Sequence, residues 1–261
     1  MYRPRVIPVL LLHNKGIVKT IKFSHPRYIG DPINTVRIFN EKEVDELILL
    51  DIDASVQRKA PDFDLIEEIV GEAFMPIGYG GGVKTLEQMH RLFRAGIEKV
   101  SLSSAAIENP SLVRQASMEF GRQAVVVTLD IKRLNEKYVV STYNDTQIID
   151  KDPVDVAQEM EALGAGELIL NFVDRDGTMQ GYDVQYVRKI THKVKIPVIA
   201  LGGAGSLLDL RKVVFEGGAS AAAAGSLFVY YGRLRAVLIN YPSQEELTSL
   251  FRLAGGGNET R

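Results

Sequence analysis

The 261-residue sequence contains no cysteine and only four histidines. Without cysteine the chain can form neither a disulfide nor a thiolate nucleophile, and cysteine-based zinc sites are excluded. The histidines and acids show no metal-ligand spacing. We therefore expect neither a metal nor a cofactor.

The chain also lacks a charge imbalance and a long apolar run. Its net charge of −2 gives no reason to expect nucleic acid or an anionic membrane as a partner. No apolar run reaches transmembrane length, and the start, Met-Tyr-Arg-Pro-Arg, lacks the apolar region and cleavage site of a signal peptide. A hydrophobic content of 46% is ordinary for a globular protein with a sizeable core. We expect a cytoplasmic protein.

What the chain has in abundance is short aliphatic runs typical of buried strands. There are eight of them: Arg5–Leu12, Glu46–Asp51, Met75–Gly78, Lys99–Ser103, Ala124–Asp130, Glu167–Asn171, Pro197–Leu201 and Ser220–Ala224. Helical patterns lie between them, among them Thr85–Ala95, Pro153–Leu163, Val184–His192 and Leu207–Phe215. This alternation predicts an α/β fold, a single (βα)8 TIM barrel over residues 1–253.

An open doubly wound sheet is the main alternative to the barrel. The near-equal halves and the lack of a glycine-rich dinucleotide fingerprint after the first strand count against it. Arg133–Tyr143 predicts an extra hairpin after the fifth strand, and residues 254–261 predict a flexible glycine-rich tail.

Two segments of the chain repeat each other. Glu46-Leu-Ile-Leu recurs as Glu167-Leu-Ile-Leu, 121 positions later (167 − 46). Gly80-Gly81 recurs as Gly202-Gly203, 122 positions later (202 − 80). Landmarks in the same order at nearly constant offset predict a two-fold half-barrel repeat.

Glycines and small hydroxylic residues follow four of the predicted strands. Strands three and seven are followed by Gly80-Gly81-Gly82 and Gly202-Gly203-Ala204-Gly205, and strands four and eight by Ser103-Ser104 and Gly225-Ser226. In a barrel these ends form the active-site face, where backbone N–H groups can bind phosphate. The alternative is that the glycines only make tight turns. Two equivalent clusters on one barrel fit a ligand with a phosphate at each end.

Asp130 ends the apolar run Val125–Asp130 at the same face, where a carboxylate can act as a general acid or base. The alternative is a solvated loop acid paired with Lys132 or Arg133.

Asp51 and Asp176 are further acid candidates at this face. His13 lies closest of the histidines, just past the first strand, but we expect a solvated loop residue. The other histidines are expected at the surface: His25, His90 and His192.

Four charged residues begin strands at the opposite face: Arg5, Glu46, Lys99 and Glu167. Charges are rarely buried unless paired, so two cations and two anions could form a ring across the barrel floor. Spacing alone favours the alternative, a set of solvated strand ends.

Together these residues resemble the HisF family, the cyclase subunit of imidazole glycerol phosphate synthase. The likeness runs from Arg5 to Phe228 and includes Asp31-Pro32, Glu46–Ser55, Gly80–Gly82, Ala105–Leu112, Ala124–Arg133, Asp174–Asp183 and Gly202–Gly205. It implies a two-fold-repeated (βα)8 barrel that binds a substrate with two phosphates. It also implies docking to a HisH-type glutaminase at the barrel bottom, with ammonia conducted through the core.

The resemblance carries roles over to particular residues. It implies phosphate binding by Gly82, Ser103 and Ser104 on one side, and by Asp176, Gly177, Gly203, Gly225 and Ser226 on the other. It implies an ammonia gate of Arg5, Glu46, Lys99 and Glu167, which replaces the expectation of solvated strand ends.

One departure from the family pattern concerns catalysis. Family members place a catalytic aspartate at the end of strand one, but this chain has Leu11 there, and residues 1–30 contain no Asp or Glu. A leucine can neither donate nor accept a proton. Asn171-Phe172 also replaces a small hydroxylic pair, and Phe172 is expected to shrink and dry the site. Lys19 is retained.

Three hypotheses follow. The favoured one is a divergent HisF-like subunit that takes ammonia from a HisH-type glutaminase and passes it on. Its acceptor would be an N-acetylated surface-polysaccharide sugar, amidated by a third, ATP-dependent protein. The second is a working cyclase of histidine biosynthesis with Asp130 as its only acid–base group. The third is a non-catalytic barrel that binds a phosphoribosyl ligand.

Overall fold

The computed structural model of the protein describes residues 3–252. The tail predicted for 254–261 lies outside the described residues. The strands are β1 Arg5–His13, β2 Gly16–Ile21, β3 Ser24–Gly30, β4 Leu47–Asp51, β5 Ile77–Gly80, β6 Lys99–Leu102, β7 Val125–Leu134, β8 Lys137–Thr142, β9 Gln147–Ile149, β10 Glu167–Phe172, β11 Val198–Leu201, β12 Ala221–Ala224, β13 Tyr230–Tyr231 and β14 Ala236–Val237.

Eight of these strands form a closed parallel ring. Its order is β1, β4, β5, β6, β7, β10, β11 and β12, and β12 pairs with β1 to close it. The predicted TIM barrel is confirmed, and the open-sheet alternative is wrong.

Helices surround the ring and cover its outer face. They are α1 Pro32–Glu41, α2 Ile52–Val56, α3 Phe63–Gly71, α4 Leu86–Arg94, α5 Ser104–Glu108, α6 Ser111–Phe120, α7 Pro153–Leu163, α8 Val184–Thr191, α9 Leu207–Phe215, α10 Ser226–Val229 and α11 Gln244–Phe251. Within residues 3–252 none of them has the length and hydropathy needed to span a bilayer.

The predicted bounds of the third strand were wrong by two residues: the strand begins at Ile77, not at Met75. Pro76 has no N–H group, so it joins the sheet only through its carbonyl, which accepts from the Leu47 amide. The hairpin predicted after the fifth strand is confirmed as β7 and β8, joined through Asn135 at a φ of 55°.

A second hairpin, β2–β3, follows the first barrel strand and was not predicted. Ile21 pairs with Ser24, so the two-residue turn is Lys22-Phe23, with φ values of 52° and 59°. Such turns are usually marked by Asn-Gly or Asp-Gly because both positions need positive φ. The sequence carries no such mark here.

Successive side chains along each strand point alternately into the barrel and out toward the helices, so the protein has an inner and an outer hydrophobic core. Side chains that point to the barrel axis form the inner core: Ile7, Val9, Ile48, Val126, Ile169, Ile199, Leu201, Ala221 and Ala223. Outward side chains such as Val6, Leu10 and Leu168 pack against the helices. Along β1 the parity therefore turns Arg5 and Leu11 toward the axis, at opposite ends.

The two halves repeat in local detail. Thr85 and Ser206 lie 121 positions apart (206 − 85), and each begins a helix with a capping box, closed by Gln88 in α4 and by Asp209 in α9. The short helices α5 and α10 begin at Ser104 and Ser226, 122 positions apart (226 − 104). The predicted half-barrel repeat thus extends to the helix caps.

Removing the cap of α9 tests how much these local signals stabilise the barrel. Ser206→Ala deletes the hydroxyl that accepts from the Asp209 amide at 3.3 Å. The substitution is expected to lower the free energy of unfolding by about 1 kcal/mol, measured by denaturant titration. Ser249→Ala is the control, because Ser249 is exposed inside α11. An equal effect of the two changes would contradict the assignment.

Candidate functional site

The floor of the barrel is a closed ring of four charges. The Arg5 guanidinium donates to Glu46 and to Glu167. The Lys99 ammonium group donates to Glu46 Oε1 at 3.0 Å and to Glu167 Oε2 at 3.0 Å. Each carboxylate thus bridges both cations, and the ring has no net charge.

The burial of these four side chains shows whether they form a paired ring or are solvated strand ends. The side chains of Glu46 and Glu167 are only 4% and 7% exposed. Burial disfavours the charge on Arg5, but the two glutamates outweigh it and raise the pKa of the guanidinium. The solvated strand ends favoured by spacing alone are therefore wrong.

At the opposite end of the barrel, one cavity of about 120 Å³ collects the residues predicted for that face. Its lining includes Leu11, Lys19, Asp51, Gly82, Ser103, Ser104, Asp130, Asn171, Asp176, Gly177, Gly203, Gly225 and Ser226. The glycine clusters of both half-barrels thus face the same space.

Asp130 lines this cavity, and both of its carboxylate oxygens accept hydrogen bonds. Asn171 Nδ2 donates to Oδ1 at 2.8 Å, and Ser103 Oγ donates to Oδ2 at 3.2 Å. The alternative of a loop acid paired with Lys132 or Arg133 is wrong. Lys132 pairs instead with Asp145 at 2.5 Å. Burial outweighs the two donors and raises the pKa of Asp130 to about 7.

The raised pKa of Asp130 makes stability depend on pH. Between its ordinary value of 3.8 and about 7, the folded state binds the proton more tightly than the unfolded state. The free energy of unfolding should therefore fall as pH rises through this window, by up to about 4 kcal/mol, and level off above it. Denaturant unfolding from pH 4 to 8 should show this slope in the wild type. Asp130→Asn should lose the share of this slope that Asp130 contributes, while the shares of Asp51 and Asp176, whose pKa values burial also raises, remain. The same slope in both proteins would contradict the assignment.

The phosphate-type groups differ in how far their donors are already used. The Gly82 N–H donates to Ser55 Oγ at 3.2 Å, and Ser104 Oγ accepts from the Tyr143 amide at 2.9 Å. The Ser103 amide on the first side, like the amides of Gly203 and Gly225 on the second, donates no hydrogen bond within residues 3–252. Both sides therefore offer free backbone donors to an anion.

Asp176 connects the second side to the β2–β3 hairpin. Its carboxylate accepts from the Thr20 hydroxyl at 2.6 Å and from the Phe23 amide at 3.4 Å, and its own amide donates to Phe172 O at 3.0 Å. Burial raises the pKa of Asp176. The carboxylate and amide of Asp176 are thus used to hold the cavity wall together. The hydrogen-bond donors for an anion on this side are the amides of the neighbouring glycines.

Lys19 enters the cavity from β2 and is fully buried. Its ammonium group donates to the Val9 carbonyl. Burial lowers its pKa to about 8, although Asp176 favours the charged form. At neutral pH Lys19 is thus a cation that gives up its proton readily.

The departures from the family pattern at positions 11 and 172 face opposite ways. Leu11 points inward and lines the cavity. Phe172 points outward, edge-on to Tyr186 with ring centres 6.2 Å apart. The expectation that Phe172 shrinks and dries the site is wrong, because Glu167 and Asn171 take the inward positions of β10.

Asp51 and His13, the other acid and histidine predicted near this face, make local structural contacts. Asp51 begins α2 and accepts from the Asp53 and Ala54 amides at 2.9 and 3.0 Å. The solvated histidine expected at position 13 is wrong, since His13 ends β1 and its Nδ1 lies 2.7 Å from Asp53 Oδ1. Within the described part of the chain no group of three His, Asp or Glu could hold a metal ion.

Two cavity groups were missed from the sequence. Ser101 and Thr128 lie inside the barrel with their hydroxyl oxygens 2.6 Å apart. Either could have been found by counting two residues up from Lys99 and two down from Asp130, since alternate strand residues share a face.

Comparison with known proteins agrees with this geometry. A family model described as histidine biosynthesis protein matches residues 5–235. The chain is 41% identical to an imidazole glycerol phosphate synthase subunit HisF of Exiguobacterium sibiricum over 228 residues, 87% of this chain and 91% of that one.

Higher identity is found to provisionally named subunits of the same enzyme. The hisF3 protein of Vibrio vulnificus is 51% identical over 248 residues, 94% of this chain and 95% of that one. The hisF2 protein of Pseudomonas aeruginosa is 51% identical over 248 residues, 95% of this chain and 99% of that one.

Proposed function

Because the chain belongs to the histidine biosynthesis protein family, we propose that it is the barrel subunit of a glutamine-dependent amidotransferase. In this proposal a HisH-type glutaminase docks below the floor ring and releases ammonia there. The ammonia passes between Arg5, Glu46, Lys99 and Glu167 into the barrel core and leaves at the cavity.

The observation that carries the proposal is the closed floor ring. Burying ion pairs is often no more stabilising than well-packed apolar residues of the same volume, so a barrel floor needs no such ring for stability. Both carboxylates are shared between two cations, so one contact can open while each charge keeps a partner. A gate for a small neutral molecule needs this property.

We place the ammonia acceptor outside the cavity, on an N-acetylated sugar of a surface polysaccharide that a third, ATP-dependent protein amidates. Leu11 supports this part of the proposal, because it removes the partner acid that Asp130 would need for a two-acid mechanism. The barrel then acts as conduit and scaffold, in the cytoplasm.

A working cyclase is the second candidate, favoured by the top cavity itself. Both phosphate-type clusters, Lys19 and Asp130 line one space. Asp130 has a pKa of about 7, which suits a general acid or base at neutral pH. In this case Asp130 would supply all the acid–base chemistry.

Complex formation tests the proposal directly. The chain mixed with the HisH-type glutaminase of its own organism should sediment as a one-to-one complex, as the Exiguobacterium HisF should with its own glutaminase. Separate sedimentation of this chain, with complex formation in that control, would contradict the glutaminase role. It would favour an isolated ligand-binding barrel.

A further inference from the structure

A pair of hydroxyl groups lies midway between the floor ring and Asp130. Ser101 follows Lys99 by two positions on β6, and Thr128 precedes Asp130 by two on β7, so both face the barrel axis. Their oxygens are 2.6 Å apart, and the residues are only 7% and 4% exposed. Both line the top cavity.

The surroundings of this pair are aliphatic. On the neighbouring strands, the inward residue Val126 is in register with Ser101, and the inward residue Ile169 is in register with Thr128. A hydroxyl offers one donor and two acceptor positions, so a pair that bonds only to itself leaves one hydrogen and several lone pairs unused. An apolar barrel layer thus contains spare hydrogen-bonding capacity.

Asn171 adds an acceptor to the same space. Its Nδ2 donates to Asp130 Oδ1, which leaves Oδ1 of the amide as the free end. That oxygen is buried and accepts no hydrogen bond within residues 3–252. Asn171 lies one inward position above Ile169, which is in register with Thr128 on the neighbouring strand. A buried acceptor without a partner costs stability unless something binds there.

We propose that Ser101, Thr128 and Asn171 form an internal binding site for ammonia at the end of the top cavity that faces the floor ring. The inference rests on the proposed ammonia conduction and assigns it a place in the core. The hydroxyl whose hydrogen is spare donates to the lone pair of ammonia, and the other hydroxyl oxygen and Asn171 Oδ1 accept from its N–H groups. Ammonium has no lone pair and cannot accept from the spare hydroxyl hydrogen, so only neutral ammonia uses every group of the site.

Methyl NMR on the full-length chain tests this site with ammonia alone. The Ile169 δ1 methyl is the reporter, and that of Ile190, buried in the outer layer, is the reference. Ammonium chloride is added at an alkaline pH at which much of it is ammonia. A parallel titration uses trimethylammonium chloride, whose neutral form is bulkier and has no N–H group. The Ile169 signal should shift and saturate with ammonia only, while Ile190 stays unchanged.

Near-isosteric variants connect the shift to the three side chains. Thr128→Val, Ser101→Ala and Asn171→Leu should each weaken the apparent affinity about fivefold, the effect of one lost hydrogen bond. A linear shift, an equal response to trimethylamine, or the same affinity in Thr128→Val would overturn the proposal and leave a purely structural pair. The titration contains no glutaminase, so its result is independent of the sedimentation test. A negative result in one leaves the other proposal standing.

Discussion

Lys99→Met is expected to lower the free energy of unfolding by about 3 kcal/mol and to uncouple the barrel from its glutaminase. The variant leaves Glu46 and Glu167 with Arg5 as their only cation, so one buried negative charge is uncompensated. Removing one partner of a buried ion pair typically costs about 3–5 kcal/mol, and the lower figure applies because the Lys99 side chain is 23% exposed.

Denaturant unfolding measures this cost, and Lys137→Met is the matched control. Lys137 pairs with Asp150 at the surface, where the two side chains are 62% and 76% exposed. Its loss should change the unfolding free energy by less than about 0.5 kcal/mol. Adding Glu46→Gln to Lys99→Met restores a neutral floor and should recover a large part of the loss. Equal effects of the two lysine substitutions would show that the floor ring is solvated after all.

The wild-type chain, given the bis-phosphorylated aminoimidazole-precursor substrate and free ammonium salt, is expected to turn over at least about 100-fold more slowly than an ordinary HisF. General acid or base catalysis by one positioned group contributes about 10²–10⁴-fold, and Leu11 supplies none. The Exiguobacterium HisF is the reference under the same conditions. Turnover equal to that reference would contradict the proposal that the barrel only conducts ammonia, and would support a working cyclase.

Leu11→Asp should restore part of this activity. The side chain at this position points into the cavity that Asp130 lines, and Lys19 lies in the same wall as a counter-charge. Leu11→Asn is the control, because it matches the shape of aspartate but transfers no proton. Equal turnover of the two variants would show that the gain, if any, is steric. Asn171 also departs from the family pattern, so recovery should remain incomplete.

Much of the architecture could be predicted from the sequence because its signals are local. Aliphatic runs alternate with amphipathic helices, and the capped starts of α4 and α9 are visible as Thr85…Gln88 and Ser206…Asp209. The rule that barrel sites form at the carboxyl ends of the strands then placed the glycine clusters and Asp130 around one cavity.

What the sequence alone did not reveal depends on parity and on backbone conformation. If Glu167 faces the axis, then Asn171 does too, and Phe172 must face outward. That deduction requires knowing that Glu167 belongs to the buried floor ring, whereas its spacing alone favoured a solvated strand end. The β2–β3 hairpin was missed because Lys22-Phe23 adopts positive φ without glycine or asparagine, held by the contacts of Asp176 with this hairpin.

The most direct test of the central claim is the rate of glutamine hydrolysis by the HisH-type glutaminase of the same organism, with and without this chain. We predict a rise in rate when the wild-type chain is added, and a much smaller rise with Lys99→Met at saturating concentration. Lys137→Met should match the wild type. An unchanged rate with the wild-type chain, under conditions where the Exiguobacterium HisF stimulates its own glutaminase, would contradict the claim that this barrel receives ammonia through its floor.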